Sequence, residues 1–254
     1  MNKKILEKID FILKESFEKY KKKYHKKVVG VLVSGGIDSS IIAWWVRKTF
    51  PNCVFLSVAC KTSKDWIFLD ILEKFLKKKI IRVNYDSKKI KKAIFKVIKI
   101  YKKRNFSIDL THLSLGVCFL LCLEETKKRR VEILFSGQGP DILLGGYHRY
   151  KKIKLGELNQ TIKNELTLLK KDVKREKILS EKEGIKIIYP FIEKNFIDFC
   201  LKIPANLKIK NGKEKYILRK YGEFLGLPEE ITFRPKKAFQ YSTGIFKAVK
   251  KLIE

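Results

Sequence analysis

Residues 34–40 read Ser-Gly-Gly-Ile-Asp-Ser-Ser. Gly35 and Gly36 let the backbone approach an anion closely, and the N–H groups that follow can converge on it at a helix N-terminus. Ser34, Ser39 and Ser40 add hydroxyl donors. Asp38 is the odd member, because a carboxylate repels phosphate unless a cation lies between them. Its presence implies Mg²⁺ bridging to phosphate oxygens. A plain strand-to-helix turn needs only a single capping Ser or Asp, far less than this stretch supplies. A second cluster, Ser-Gly-Gln-Gly-Pro-Asp-Ile-Leu-Leu-Gly-Gly-Tyr, occupies residues 136–147. Neither segment has the GxxxxGK[ST] spacing of a Walker loop. In the second, Ile142 stands where a GxGxxG needs its third glycine, which argues against dinucleotide binding.

The two segments need elements to hold them. Residues 28–33 (VVGVLV) form a short β-branched run typical of a strand buried on both faces. A helix-like stretch follows the first turn and ends at Pro51. Further strands are expected over 53–58, 80–84 and 131–135, and helices over 1–27, 88–101 and 113–126. This alternation predicts an α/β fold, a Rossmann-like doubly wound parallel sheet. Past Asp141 the β-like runs thin out, and helices are expected over 157–183, 213–224 and 246–252. The expected organisation is an N-terminal helix (1–27), a nucleotide-binding α/β core (28–150) and a mostly helical lobe (151–254). Trp44 and Trp45, on the helix after the first turn, read as core residues.

Composition narrows the class. The 254 residues include 58 Lys or Arg against 27 Asp or Glu, a net charge of +31, yet 45% are hydrophobic. That supports a packed core and excludes a disordered polycation. The apolar runs fall short of the ~18–20 residues that cross a bilayer, and the charged N-terminus lacks a secretory h-region. A cytoplasmic location is expected. Cys53, Cys60, Cys118, Cys122 and Cys200 contain no CxxC, which excludes a common zinc ribbon. Cys118 and Cys122 share one helical face and read as small buried hydrophobes. The excess charge suits an RNA partner bound through phosphates, and it equally suits a solvated surface.

SGGIDSS resembles the signature of the PP-loop ATP pyrophosphatases, and the motifs after it narrow the resemblance. SGQGPDILLGGY is similar to the SGxGxDExxGGY segment of the asparagine synthetase and β-lactam synthetase family. LLKKDVKREK places Asp172 and Arg175 as that family's D-x-x-R, YPFI matches its PFLD segment, and KEKYILRK supplies Lys215 and Arg219 as a K-x-x-x-R. FRPKKAFQYSTG resembles its C-terminal R-x-K segment, with the lysine role on Lys236. The order holds over residues 28–246.

The resemblance implies ATP as cofactor, Mg²⁺ held by Asp38 and Asp141, and adenosine held by backbone groups of Leu32, Val58, Ser136 and Gly137. It also places Ser34, Gly35, Gly36, Ser39 and Ser40 on pyrophosphate, and Lys236, Asp172, Arg175 and Gln138 in catalysis. The reaction implied is adenylation of a carboxylic acid, with aspartate a candidate, followed by attack of ammonia or another amine. The departures are Gln138 for the family's Glu, Ile142 for the Glu after the motif Asp, and Ile188 at a basic position before PFLD. Position 2 is Asn where the family's glutaminase has its cysteine, so a separate glutaminase subunit or another nitrogen source is expected. Modification of a tRNA base, or ATP binding without chemistry, are the alternatives.

Overall fold

Alternating apolar residues build the centre of the molecule. The computed structural model describes residues 2–60, 63, 65–236 and 239–253. Helix α1 (Asn2–Tyr24) precedes β1 (Val29–Leu32). The chain then runs through α2 (Ile37–Thr49), β2 (Cys53–Val58), α3 (Asp65–Leu76), β3 (Ile80–Val83), α4 (Ser87–Lys103), α5 (Leu110–Lys128) and β4 (Ile133–Phe135). The short α6 (Pro140–Leu143), α7 (Leu155–Asn164) and α8 (Leu166–Glu183) lead to β5 (Lys186–Ile188). Then come α9 (Lys194–Lys202), α10 (Ala205–Lys208), α11 (Tyr216–Phe224), α12 (Glu229–Thr232), α13 (Phe239–Ser242) and α14 (Ile245–Ile253).

The strands form one parallel sheet in the order β3-β2-β1-β4-β5. One face presents Val29, Val31, Phe55, Ile133 and Phe135 to Leu13, Phe17, Trp45, Phe196 and Leu218 of α1, α2, α9 and α11. The other presents Val58, Leu134 and Ile187 to residues of α4, α5, α8 and α14, among them Ile94, Val117, Leu179 and Val249. Helices therefore cover both faces, the doubly wound arrangement that the strand–helix alternation predicts. After β3 the chain crosses back to place β4 on the far side of β1. That reversal opens a crevice at the carboxyl ends of β1 and β4, where the two glycine-bearing segments lie.

Several elements differ from expectation for local reasons. Helix α5 starts three residues early because the Asp109 carboxylate accepts from the His112 N–H at 2.8 Å, and Asp86 caps α4 at Lys89 in the same way at 2.7 Å. The single helix expected over 157–183 is two, broken at Glu165. That side chain turns back to accept from Arg149 Nη2 at 2.5 Å and from the Tyr150 hydroxyl. The periodicity gives no expectation for α3 or β5. In α3 apolar residues surround the helix, with Leu69 and Leu72 buried but Ile67 61% exposed. In β5 three residues are too few to show a period. No described helix is long and apolar enough to cross a membrane.

One buried hydroxyl ties the helical layer together. Tyr221 Oη accepts from Trp45 Nε1 at 3.1 Å and donates to Asp10 Oδ1 at 2.9 Å, joining α11, α2 and α1. Trp45 is thus a core residue, as its sequence context indicates. Tyr221→Phe leaves the buried indole N–H without an acceptor. The expected loss is about 1–3 kcal/mol, read as a lower urea midpoint at unchanged slope.

Candidate active site

The first turn is set by its own side chains. Ser39 Oγ accepts from the Ser34 N–H at 3.1 Å and donates to the Gly36 carbonyl at 3.2 Å, while the Gly36 N–H reaches Ser34 Oγ at 3.3 Å. Helix α2 begins at this turn with no side-chain cap on Gly36. Its N-terminal donors are left for an anion. Gly137, after β4, packs directly on this helix start: a Cβ there would lie 2.8 Å from the Ser39 nitrogen. The second segment can therefore close on the first only with glycine at 137.

Where the two segments meet, charges alternate. The Lys215 ammonium is buried and bonds the carboxylates of both Asp38 and Asp141, the latter at 2.6 Å. Lys236 Nζ reaches the same Asp141 oxygen at 2.6 Å and lies 4.4 Å from the centre of the Tyr147 ring. Asp38 Oδ1 is buried and has no hydrogen-bond partner. Gly146 permits the approach of Lys215, because any Cβ there would collide with both the lysine Cε and the Asp141 carboxylate. Burial pushes the Asp38 carboxyl up. At Asp141 burial acts the same way, but Lys215 and Lys236 together outweigh it and hold the carboxyl below its ordinary range.

A third set of side chains stands behind Gln138. Its Nε2 donates to Asp172 Oδ2 at 2.8 Å, and Asp172 Oδ1 accepts from Arg175 Nη1 at 2.5 Å. Arg175 is only 5% exposed, so this i,i+3 pair is not the ordinary surface ion pair that its spacing also allows. Ser136 Oγ accepts from the Gln138 N–H at 3.3 Å and donates to Glu176 Oε2 at 3.2 Å.

The cavity is lined by Leu32, Ser34, Gly36, Asp38 and Ser39 from the first segment and by Ser136, Gly137, Gln138 and Asp141 from the second. Lys215 and Lys236 close it. The structure thus brings together most of the residues singled out in the sequence. Gly35 shapes the turn but does not line the cavity, nor do Asp172 and Arg175, which support Gln138. Ser40 and Val58 are wholly buried away from it. Lys237 and Ala238, within the C-terminal motif, lie outside the described residues.

Sequence reasoning missed Glu176, placed Lys215 and Arg219 in a motif without choosing between a structural and a substrate-facing role, and included Arg234 in the R-x-K segment without a role of its own. Glu176 stands four residues after Asp172 on α8, a spacing that places both on one face. Arg234 donates to the Ser34 carbonyl at 2.8 Å, pairs with Asp65 and stacks on Phe68. Cys118 and Cys122 are buried in the apolar cluster, as their context indicates. Among the described residues no group of three His, Cys, Asp or Glu could hold a metal ion. A cation here would depend on the two aspartates and on its ligand's oxygens. The unpartnered Asp38 oxygen and the convergence of carboxylates from two loops fit such an ion.

A parallel sheet with helices on both faces and a crevice at its switch point, holding an uncapped glycine–serine turn and paired aspartates, defines a doubly wound α/β protein. The family follows from comparison. The chain belongs to the asparagine synthase family, whose model matches residues 21–165 and 161–254. It is 31% identical over 234 residues to the glutamine-hydrolyzing asparagine synthetase of Gallus gallus, covering 87% of this chain and 40% of the relative. Against the Mus musculus protein of the same description it is 30% identical over 230 residues, covering 85% and 40%. The chain therefore spans about two fifths of the length of these relatives. The U34-tRNA thiolase NcsA from Methanococcus maripaludis aligns with TM-score 0.38 and 13% identity, over 94% of this chain and 80% of the thiolase.

Glu176 supplies a test of this electrostatic layout. Burial raises its carboxyl to about 7, against the lowering pull of Arg175. A carboxyl whose folded pKa exceeds its unfolded value favours folding while protonated, and that advantage is lost as pH rises through about 7. Measured against Glu176→Gln, the unmodified protein is therefore expected to lose up to about 3 kcal/mol of relative stability between pH 4 and pH 8. Urea midpoints across that range check it.

Proposed function

We propose that this chain carries out the ATP-dependent, AMP- and pyrophosphate-forming activation of a carboxylic acid for attack by ammonia or another amine. The observation that supports this reading best is the convergence of Asp38 and Asp141 on Lys215, with Lys236 beside them and the uncapped turn opposite. ATP is a substrate here, consumed at each turnover.

The roles follow from position. Donors of the turn, with Ser34 and Ser39, grip the pyrophosphate end of ATP, while backbone of Leu32, Ser136 and Gly137 faces adenosine. Mg²⁺, held by Asp38 and Asp141, would neutralise phosphate oxygens and align the chain for displacement. Lys236, already drawn to this point by Asp141, stabilises negative charge gathering at the α-phosphorus as the acid's oxygen attacks. Lys215 keeps the two aspartates together while their ligand is absent. Gln138 has its amide nitrogen committed to Asp172, which leaves its carbonyl oxygen as an acceptor for the incoming amine. Asp172 and Arg175 act through Gln138 as positioning residues. Aspartate is the first acid to try, and a separate glutaminase subunit is one source of ammonia.

The test is exchange of labelled pyrophosphate into ATP across a panel of acids. Exchange is expected with aspartate or one other acid and not without acid. Lys236→Ala is expected to cut it by about 10²–10³-fold while the fold, followed by circular dichroism, is retained. Exchange with no acid, alongside turnover of a tRNA substrate and steeply salt-dependent tRNA binding, would replace this reading with the RNA-modifying one.

A further inference from the structure

Among the described residues three carboxylates line the cavity, and the reading above occupies only Asp38 and Asp141. Glu176 is the third. It is 8% exposed and receives one hydrogen bond, from Ser136 at 3.2 Å. Its Oε1 lies 3.9 Å from Arg175 Nη2, beyond hydrogen-bonding distance, while Arg175 spends its short contact on Asp172. Tyr189, on the β5 side, is the other polar group that approaches the Glu176 carboxyl; its buried hydroxyl interacts with it without forming a well-aligned hydrogen bond. Above about pH 7, where it is ionised, this carboxylate offers about four acceptor sites, more than its neighbours fill. The cavity side therefore holds unused acceptor capacity.

The ligand group it suits can be narrowed by charge. Arg175 is shared between Asp172 and Glu176, so two carboxylates face one guanidinium and this wall keeps a net negative charge that repels phosphate; a nucleotide would present its neutral part here. Glu176 is also anchored to Ser136, whose neighbour Gly137 and facing residue Leu32 form the crevice at the carboxyl ends of β4 and β1. A ribose offers two adjacent hydroxyl donors at such a crevice, and in other doubly wound folds an acidic side chain takes them.

We propose that Glu176 is the ribose-recognising residue of this site, its carboxylate accepting from the 2′- and 3′-hydroxyls and selecting ribonucleotides over deoxyribonucleotides. The inference rests on the reading of ATP as substrate. Its test is calorimetric binding of Mg²⁺ complexes of ATP, 2′-deoxy-ATP, 3′-deoxy-ATP and inosine triphosphate to the whole chain, without acid, so that no turnover intervenes.

The unmodified protein is expected to bind ATP at least tenfold more tightly than either deoxynucleotide. Glu176→Ala should weaken ATP most and each deoxynucleotide, which keeps one hydroxyl, less, so that the preference disappears. Glu176→Gln, which keeps one acceptor oxygen and the shape, should restore part of it. Equal binding of ATP and both deoxynucleotides by the unmodified protein overturns the proposal while leaving ATP as substrate. So does an equal loss for all nucleotides in Glu176→Ala. If that variant instead loses discrimination between ATP and inosine triphosphate, the carboxylate reads the base amino group, and the ribose assignment falls. Binding of no nucleotide at all removes the ATP reading itself, and this inference with it.

Discussion

One buried ammonium holds the site in shape. Lys215 lies between carboxylates from loops that follow β1 and β4, about a hundred residues apart in the chain. Without a positive charge there, two aspartates in a poorly hydrated crevice would repel each other and the loops would part. The lysine can reach them because its own backbone is left-handed, at φ 54°, just before α11, and because Gly146 has no Cβ to block it. Two separate backbone features thus serve one electrostatic contact. The cost of burying each charge is offset only while all three partners are present.

Helix α8 performs the corresponding task on the other side of Gln138. Asp172, Arg175 and Glu176 are within two turns, and between them they fix the Gln138 amide, the Ser136 hydroxyl and each other. A glutamine is uncharged and needs such bracing to keep one orientation. The acid-rich inner face of this helix sits in a chain with a net charge of +31. The basic excess therefore belongs largely to the surface, and the chemistry of the crevice is set locally.

The α/β layering was legible in the sequence because buried parallel strands leave an unmistakable mark: the run VVGVLV cannot be placed on a wet surface. The first turn was legible for a different reason, since two glycines and three serines around an Asp directly after a buried strand exceed what a plain turn needs; the positive charge that the structure sets against Asp38 is Lys215. The limits were equally physical. β5 was hidden because three residues carry no period, and α3 because its apolar residues surround the helix. Glu176 looks like many other charged residues until the fold removes its water, and Lys215, marked only by its motif, shows its role only when both aspartates are placed around it. In the R-x-K segment only the lysine carried a legible role, although the Arg234 guanidinium is what meets the first turn.

That guanidinium makes the two ends of the site one mechanical unit. Arg234 grips the Ser34 carbonyl, Asp65 and the Phe68 ring, and its own carbonyl is held by Arg219 at 3.0 Å. Lys236 follows two residues later on the same strip of backbone. Through these contacts the first turn and the strip that carries Lys236 are joined by one side chain, so neither can be displaced without breaking a bond to the other.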